Sequence, residues 1–137
     1  MPARDWNRAT IEKFHAQRGL GIPPWGDHLL LLTTVGARSG KPSVTPVVYI
    51  RDGDRYAVMA SMGGAPRNPN WYHNLVSNPV VGVEVQTDTF QARASVAEGA
   101  ERERLFKLLG EVWPGFYDYE KKTKRVMPVV VLEPIAA

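Results

Sequence analysis

The tripeptide Asp52-Gly53-Asp54 constrains this chain more than any other feature, because it lies between two runs rich in β-branched and aromatic residues and so ties them into a hairpin. The first run, 43–51, carries Val44, Val47, Val48, Tyr49 and Ile50; the second, 55–61, carries Tyr56, Val58 and Met59. Pro46 falls inside the first run, and without an amide to donate it fits only at an edge or a bulge. The same logic gives a second hairpin. Val81, Val83 and Val85 alternate with Gly82, Glu84 and Gln86, and Phe90, Ala92, Ala94 and Val96 alternate with polar residues across Thr87-Asp88-Thr89. Residues 27–35 contain a continuous apolar and β-branched run from Leu29 to Val35, and 127–132 hold Val129, Val130 and Val131; both predict buried strands. About six strands joined mostly by hairpins describe a mainly β (α+β) fold, an antiparallel sheet closing into a small barrel with helical covers.

The covers are equally readable. Residues 5–18 place Trp6, Ala9, Lys13 or Phe14, and Gln17 at helical spacing, and Gly19 and Gly21 end the helix. The Gly21-Ile22-Pro23-Pro24-Trp25-Gly26 segment is a loop. A short helix opens at Pro69 and closes at Asn78-Pro79, a longer one spans 100–113 with Leu105, Leu108, Leu109 and Val112 on one face, and another covers 116–124. With 137 residues, 44% of them hydrophobic, the chain supports one core: a barrel over 27–137, and an N-terminal helix and loop over 1–26 as a candidate lid.

Composition excludes several classes. There is no cysteine, so disulfides, iron–sulfur clusters, thiolate zinc and thiol nucleophiles drop out, and cytoplasm is the expected compartment. No metal site is expected, because His15, His28 and His73 are far apart and lack accompanying carboxylates. The net charge of +3 suits an anionic partner, but the basic residues are scattered and match no nucleic-acid motif, so no nucleic-acid partner is expected. The first eighteen residues lack the apolar run of a signal peptide or membrane span. Weak peripheral membrane contact through the basic N-terminal helix stays open as an expectation.

Two stretches carry the chemistry. In 36–42 a turn with Gly36 and Gly40 presents Arg38, Ser39 and Lys41, a set of amides, a hydroxyl and cations that suits a phosphate or carboxylate. The same turn also reads as an ordinary solvated hairpin. In 60–75, Ser61-Met62-Gly63-Gly64 follows a strand and can let backbone approach a flat ring, while Pro69-Asn70-Trp71 opens a helix on which Trp71 and Asn74 share a side. Trp71 serves equally as a core aromatic. Ser61 lacks a nucleophile-elbow context, which argues against a serine hydrolase.

These motifs, with Asn78-Pro79, Thr123-Lys124-Arg125 and the closing Pro128 to Pro134 segment, resemble the deazaflavin (coenzyme F420)-dependent nitroreductases and quinone reductases over about residues 29–134. The resemblance implies a split β-barrel of the flavin-reductase and pyridoxamine-phosphate-oxidase type, with F420 as cofactor. It implies Arg38, Ser39, Gly40 and Lys41 at the anionic tail. Pro46, Val47, Ala60, Ser61, Met62, Gly63, Gly64, Pro69, Asn70, Trp71 and Asn74 would surround the deazaflavin. Ala37, Ser43 and Met62 stand where relatives carry basic residues, which reduces the charge offered to the tail, with Lys41 in partial compensation. Of the late aromatic segment, Tyr119 is the residue implied to face the substrate, alongside Ser61 in the catalytic set, while Phe116 replaces a tyrosine of some relatives. Tyr117 and Tyr119 also read as packing residues.

The expected activity is therefore hydride transfer from reduced deazaflavin to a small-molecule quinone, activated alkene or nitroaromatic. Two other readings remain beside it. One is an FMN-binding split-barrel reductase; the other is a non-enzymatic carrier of a lipid or fatty acid, with Trp6, Phe14 and Trp25 as an apolar lid.

Overall fold

The computed structural model describes residues 3–135, with side chains from Asn7 onward apart from Gly63. Six strands, β1 (Leu29–Val35), β2 (Pro42–Asp52), β3 (Arg55–Met59), β4 (Val80–Val85), β5 (Asp88–Val96) and β6 (Val129–Pro134), close into an antiparallel barrel in the order β1-β2-β3-β6-β5-β4. Four helices accompany them: α1 (Ala3–Ala16), α2 (Asn70–Ser77), α3 (Gly99–Val112) and α4 (Gly115–Lys122).

The predicted elements are all present, with shifted ends. The second hairpin turns earlier than Thr87-Asp88-Thr89, because Gln86 adopts φ 54° and β5 already begins at Asp88. Pro69 precedes α2 as its N-cap instead of standing in its first turn. The last strand starts at Val129, two residues later than expected, since Arg125 and Met127 are held by other contacts.

Alternation divides the strand side chains between two cores. Leu30, Leu32, Val58, Val81, Val83, Ala92, Val130 and Leu132 fill the barrel interior, whose far end is closed by Tyr49, Tyr56 and Phe90 with rings 5.8 and 5.5 Å apart. Burial there raises the Tyr49 phenol pKa. Leu29, Leu31, Ile50, Ala57, Val129 and Val131 face outward instead and are covered by Phe14 of α1, by Leu105, Phe106 and Leu109 of α3 and by Phe116 of α4. Phe14 is fully buried, so the apolar face of α1 is spent on this second core, and Phe14 is a core residue where the lid reading had it over a ligand. The side chain of Trp6 lies outside the described residues. No described helix is long and apolar enough to cross a membrane.

β2 is the strand that shapes the molecule. It pairs with β1 from Pro42 to Val48 but with β3 only from Tyr49 to Asp52, because β3 has just five residues. Tyr49 donates its amide to the His28 carbonyl at 2.9 Å, so odd-numbered residues bond towards β1, and the backbone groups of Val44 and Pro46 and the amide of Val48 face the other, open side. Pro46 therefore gives up no ladder bond.

At the hairpin end, Arg104 of α3 donates to both Asp52 carboxylate oxygens at 3.1 and 2.8 Å, and Arg55 bridges Asp52 and Glu101 at 2.7 and 2.8 Å. These donors, Arg104 first and then Arg55, hold the Asp52 carboxyl well below the usual carboxylate range and lower that of Glu101 as well. A depressed folded-state pKa contributes stability above the unfolded pKa of about 4 and loses it as pH falls through the folded value. The melting temperature of Asp52→Asn is thus expected to trail the wild type most above about pH 5 and to converge on it towards pH 2. A gap independent of pH in thermal melts would refute the network's role.

Candidate functional site

A cleft of about 310 Å³ opens along the unpaired half of β2. On the barrel side it is lined by Thr45, Pro46, Val47 and Val48 of β2, Met59 at the end of β3, Ser61 and Met62 beyond it, and Pro69 and Trp71 at the start of α2. The covering elements add Asn7 from α1, Trp25, Trp113, and Phe116 and Tyr119 from α4. A larger groove of about 670 Å³ lies at the hairpin end between Arg51, Asp54, Arg55, Asp88 and Glu133. It is shallow and carries charges of both signs, so the smaller cleft is the better receptacle for a flat apolar molecule.

Each wall has a local cause. The Ile22 and Gly26 backbones exchange hydrogen bonds at 2.9 and 2.7 Å, and Gln17 and Asp27 fix Leu20 and Gly21, so the loop holds Trp25 at its tip. Met62 has φ 47° without being glycine, a left-handed conformation rarely adopted by a bulky residue. Arg125 accounts for it. Its guanidinium donates to the carbonyls of Ala60, Ser61 and Ala65 and to Asn68 Oδ1 at 2.7 to 3.2 Å, clamping the 60–68 turn from beneath. Burial lowers the Arg125 pKa, yet a guanidinium stays charged. Gly64, at φ 82°, is buried against α4, where an added Cβ would stand 2.9 Å from the Tyr119 carbonyl oxygen. The glycine gives room to α4, and in return α4 delivers Tyr119 to the cleft.

The structure brings together Pro46, Val47, Ser61, Met62, Pro69, Trp71 and Tyr119. Ala60 is fully buried and enters only through its backbone, which bonds Pro128 and Arg125. Gly63 is part of the 3-10 turn Met62–Gly64, and Asn70 is exposed beside Trp71. Asn74 is committed to protein: its Oδ1 accepts from the Ala37 amide at 3.0 Å and its Nδ2 donates to Thr34 Oγ1 at 3.1 Å, tying α2 to the Arg38 turn. Arg38, Ser39, Gly40 and Lys41 form that exposed turn, and among the described residues Arg38 and Lys41 have no acidic partner. Tyr117 faces away, its ring against Phe106 and Gly110. Asn7, Thr45, Val48, Met59 and Trp113 were not singled out from the sequence, and Trp25 only as part of a lid over a carried lipid, because these residues become neighbours only through α1 and the barrel closure.

The chemistry of the lining suits a planar polar ring with an anionic appendage. Five aromatic residues and Pro46 supply flat apolar walls, while the open edge of β2 and the Ser61 hydroxyl, which has no protein partner among the described residues, supply hydrogen-bonding groups. Barrel and cleft together define a split-barrel cofactor-binding protein of the flavin-reductase and pyridoxamine-phosphate-oxidase type. A Listeria innocua structure assigned as a pyridoxamine 5′-phosphate oxidase shares the fold alone, at 16% identity and a TM-score of 0.57.

The sequence model of F420H(2)-dependent quinone reductase matches residues 6–134. An F420H(2)-dependent quinone reductase of Mycobacterium tuberculosis strain H37Rv is 41% identical over 115 residues, covering 82% of this chain and 74% of that protein. Among solved structures, an F420-H2 dependent reductase (FDR-A) superposes with a TM-score of 0.73 at 38% identity, covering 77% of this chain and 94% of the other. A second, described as a domain-swapped dimer, gives 0.75 at 34% identity, covering 97% and 100%. The chain belongs to the F420H(2)-dependent quinone reductase family: it is an oxidoreductase with coenzyme F420 as its cofactor.

Removing the Arg125 clamp while keeping bulk, in Arg125→Met, leaves three carbonyls without their charged donor and is expected to cost about 2–4 kcal/mol. Amide exchange in 60–68 should accelerate more than in β4 or β5. Uniform loss across the barrel, or no loss, would contradict the clamp.

Proposed function

We propose that the cleft along β2 is the coenzyme and acceptor site, and that the chain reduces quinones there, with activated alkenes and nitroaromatics as related acceptors of hydride. The observation that supports this most is the open edge of β2, a stretch of barrel backbone that borders an aromatic-lined cleft. When bound, reduced F420 supplies the hydride, and water supplies the proton that completes a hydroquinone.

The residues divide the remaining work. Arg38 and Lys41, with Ser39 and the Gly40 backbone, would hold the phosphate and acidic tail by charge and hydrogen bonds. Pro46, Val47, Met62, Pro69 and Trp71 would pack the ring and exclude water, and Ser61 and the β2 edge would fix its orientation. Tyr119 would donate its phenolic hydrogen to the acceptor oxygen as negative charge develops there, a contact stronger in the transition state than in the ground state. Phe116, 6.1 Å from Tyr119 ring to ring and nearly perpendicular to it, holds that tyrosine in place.

Two outcomes test the assignment. Arg38→Ala should weaken F420 binding by about 1–3 kcal/mol, and wild-type affinity should fall with added salt; a salt-independent constant unchanged by the substitution removes Arg38 from the site. Tyr119→Phe should slow oxidation of the reduced coenzyme by menadione about 10-fold to 1,000-fold with coenzyme affinity nearly constant, measured in single turnover. A wild-type rate makes Tyr119 a packing residue.

A further inference from the structure

The cleft has polar groups that the reading above leaves unused, and one of them comes from an element that carries no cofactor motif. Asn7, on the second turn of α1, lines the cleft, is partly buried, and its carboxamide has no protein partner among the described residues. Elsewhere along α1, Phe14 is buried in the outer core, Ile11 packs against it, and the exposed His15 meets Glu84 at 3.0 Å. The helix is anchored over β2, while α4, which carries Tyr119, is anchored over the Met62–Gly64 turn. Asn7 and Tyr119 therefore reach the cleft from two different supports.

That arrangement matches the chemistry of a 1,4-quinone. Such an acceptor is flat and carries two carbonyl oxygens on opposite sides of its ring, and both gain electron density when it takes up a hydride. A single phenol can address one of them. A carboxamide N–H offers the second a neutral donor that keeps its proton throughout, since an amide does not titrate in the working range. A monocarbonyl acceptor leaves that donor without an oxygen to bind, and a buried polar group left unpaired disfavours the wrong ligand.

We propose that Asn7 is a specificity-determining residue that donates a hydrogen bond to one carbonyl of a 1,4-quinone while Tyr119 takes the other, so that the N-terminal helix selects dicarbonyl acceptors. The proposal rests on the placement of coenzyme and acceptor in this cleft. It makes α1 part of the acceptor site as well as a cover for the outer core.

The test uses the full chain loaded with oxidised F420 and follows menadione binding by quenching of tryptophan emission, with 2-methylnaphthalene as a probe of the same shape without carbonyls. Asn7→Ala and Asn7→Asp, the second keeping the shape but lacking the donor, should each weaken menadione about 3-fold to 10-fold and leave 2-methylnaphthalene and F420 affinity unchanged. In turnover the same variants should raise the KM for menadione more than for cyclohex-2-enone, which has one carbonyl. Equal weakening of both aromatic probes reduces Asn7 to a wall of the cleft and overturns the proposal, as does unchanged menadione binding in both variants. Loss of F420 affinity in the variants places Asn7 at the coenzyme and also overturns it. Failure of the wild type to bind F420 would instead overturn the cofactor placement on which the proposal rests.

Discussion

Everything in this molecule follows from β2 being longer than the partner on one of its sides. An eleven-residue strand faces a five-residue strand, so half of one edge has no ladder to join. Backbone donors and acceptors left without partners in a sheet must find water, side chains or a ligand. Pro46 removes one donor from that edge, and the surrounding aromatic residues keep it from being a simple solvent edge. A barrel that is closed in its strand order yet open along half a strand is a receptacle for a molecule that completes the missing hydrogen bonds.

The rest of the chain keeps that edge open and addressed. Arg125 clamps the turn that continues β3, so that turn cannot pair along β2. Gly64 brings α4 against the same turn, Asn74 fixes the Arg38 loop to α2, and the Ile22–Gly26 bridge props Trp25 at the entrance. None of these contacts is large by itself; a hydrogen bond is worth about 1 kcal/mol net. Their effect is directional, since each fixes the place of one lining side chain, and preorganised walls cost less to close around a ligand than mobile ones.

The strands and helices were legible because their signals are local. Asp52-Gly53-Asp54, the valine alternation of 80–85 and the leucine spacing of 105–109 each specify a structure within a dozen residues, and all are where the spacing places them. Half of the cleft was legible for the same reason: Ser61, Met62, Pro69 and Trp71 lie within one loop and helix. The other half was not. Asn7, Trp25 and Trp113 come to one cleft only after the barrel closes and α1 packs on β2, and no spacing in the sequence announces that residues 7 and 119 line the same cleft. Gly64 and Asn74 also do structural work that the sequence did not announce: Gly64 makes room for a helix, and both ends of the Asn74 amide are used by the protein.

The central claim is that the open half of β2 receives the coenzyme ring, and the amides that face that opening report on it directly. In a titration of the protein with oxidised F420 followed by amide NMR, the resonances of Val44 and Val48 should shift and their hydrogen exchange should slow, while Arg51, Asp54 and Thr89 at the hairpin end remain unchanged. Protection at the hairpin end with Val44 and Val48 unaffected would contradict the account.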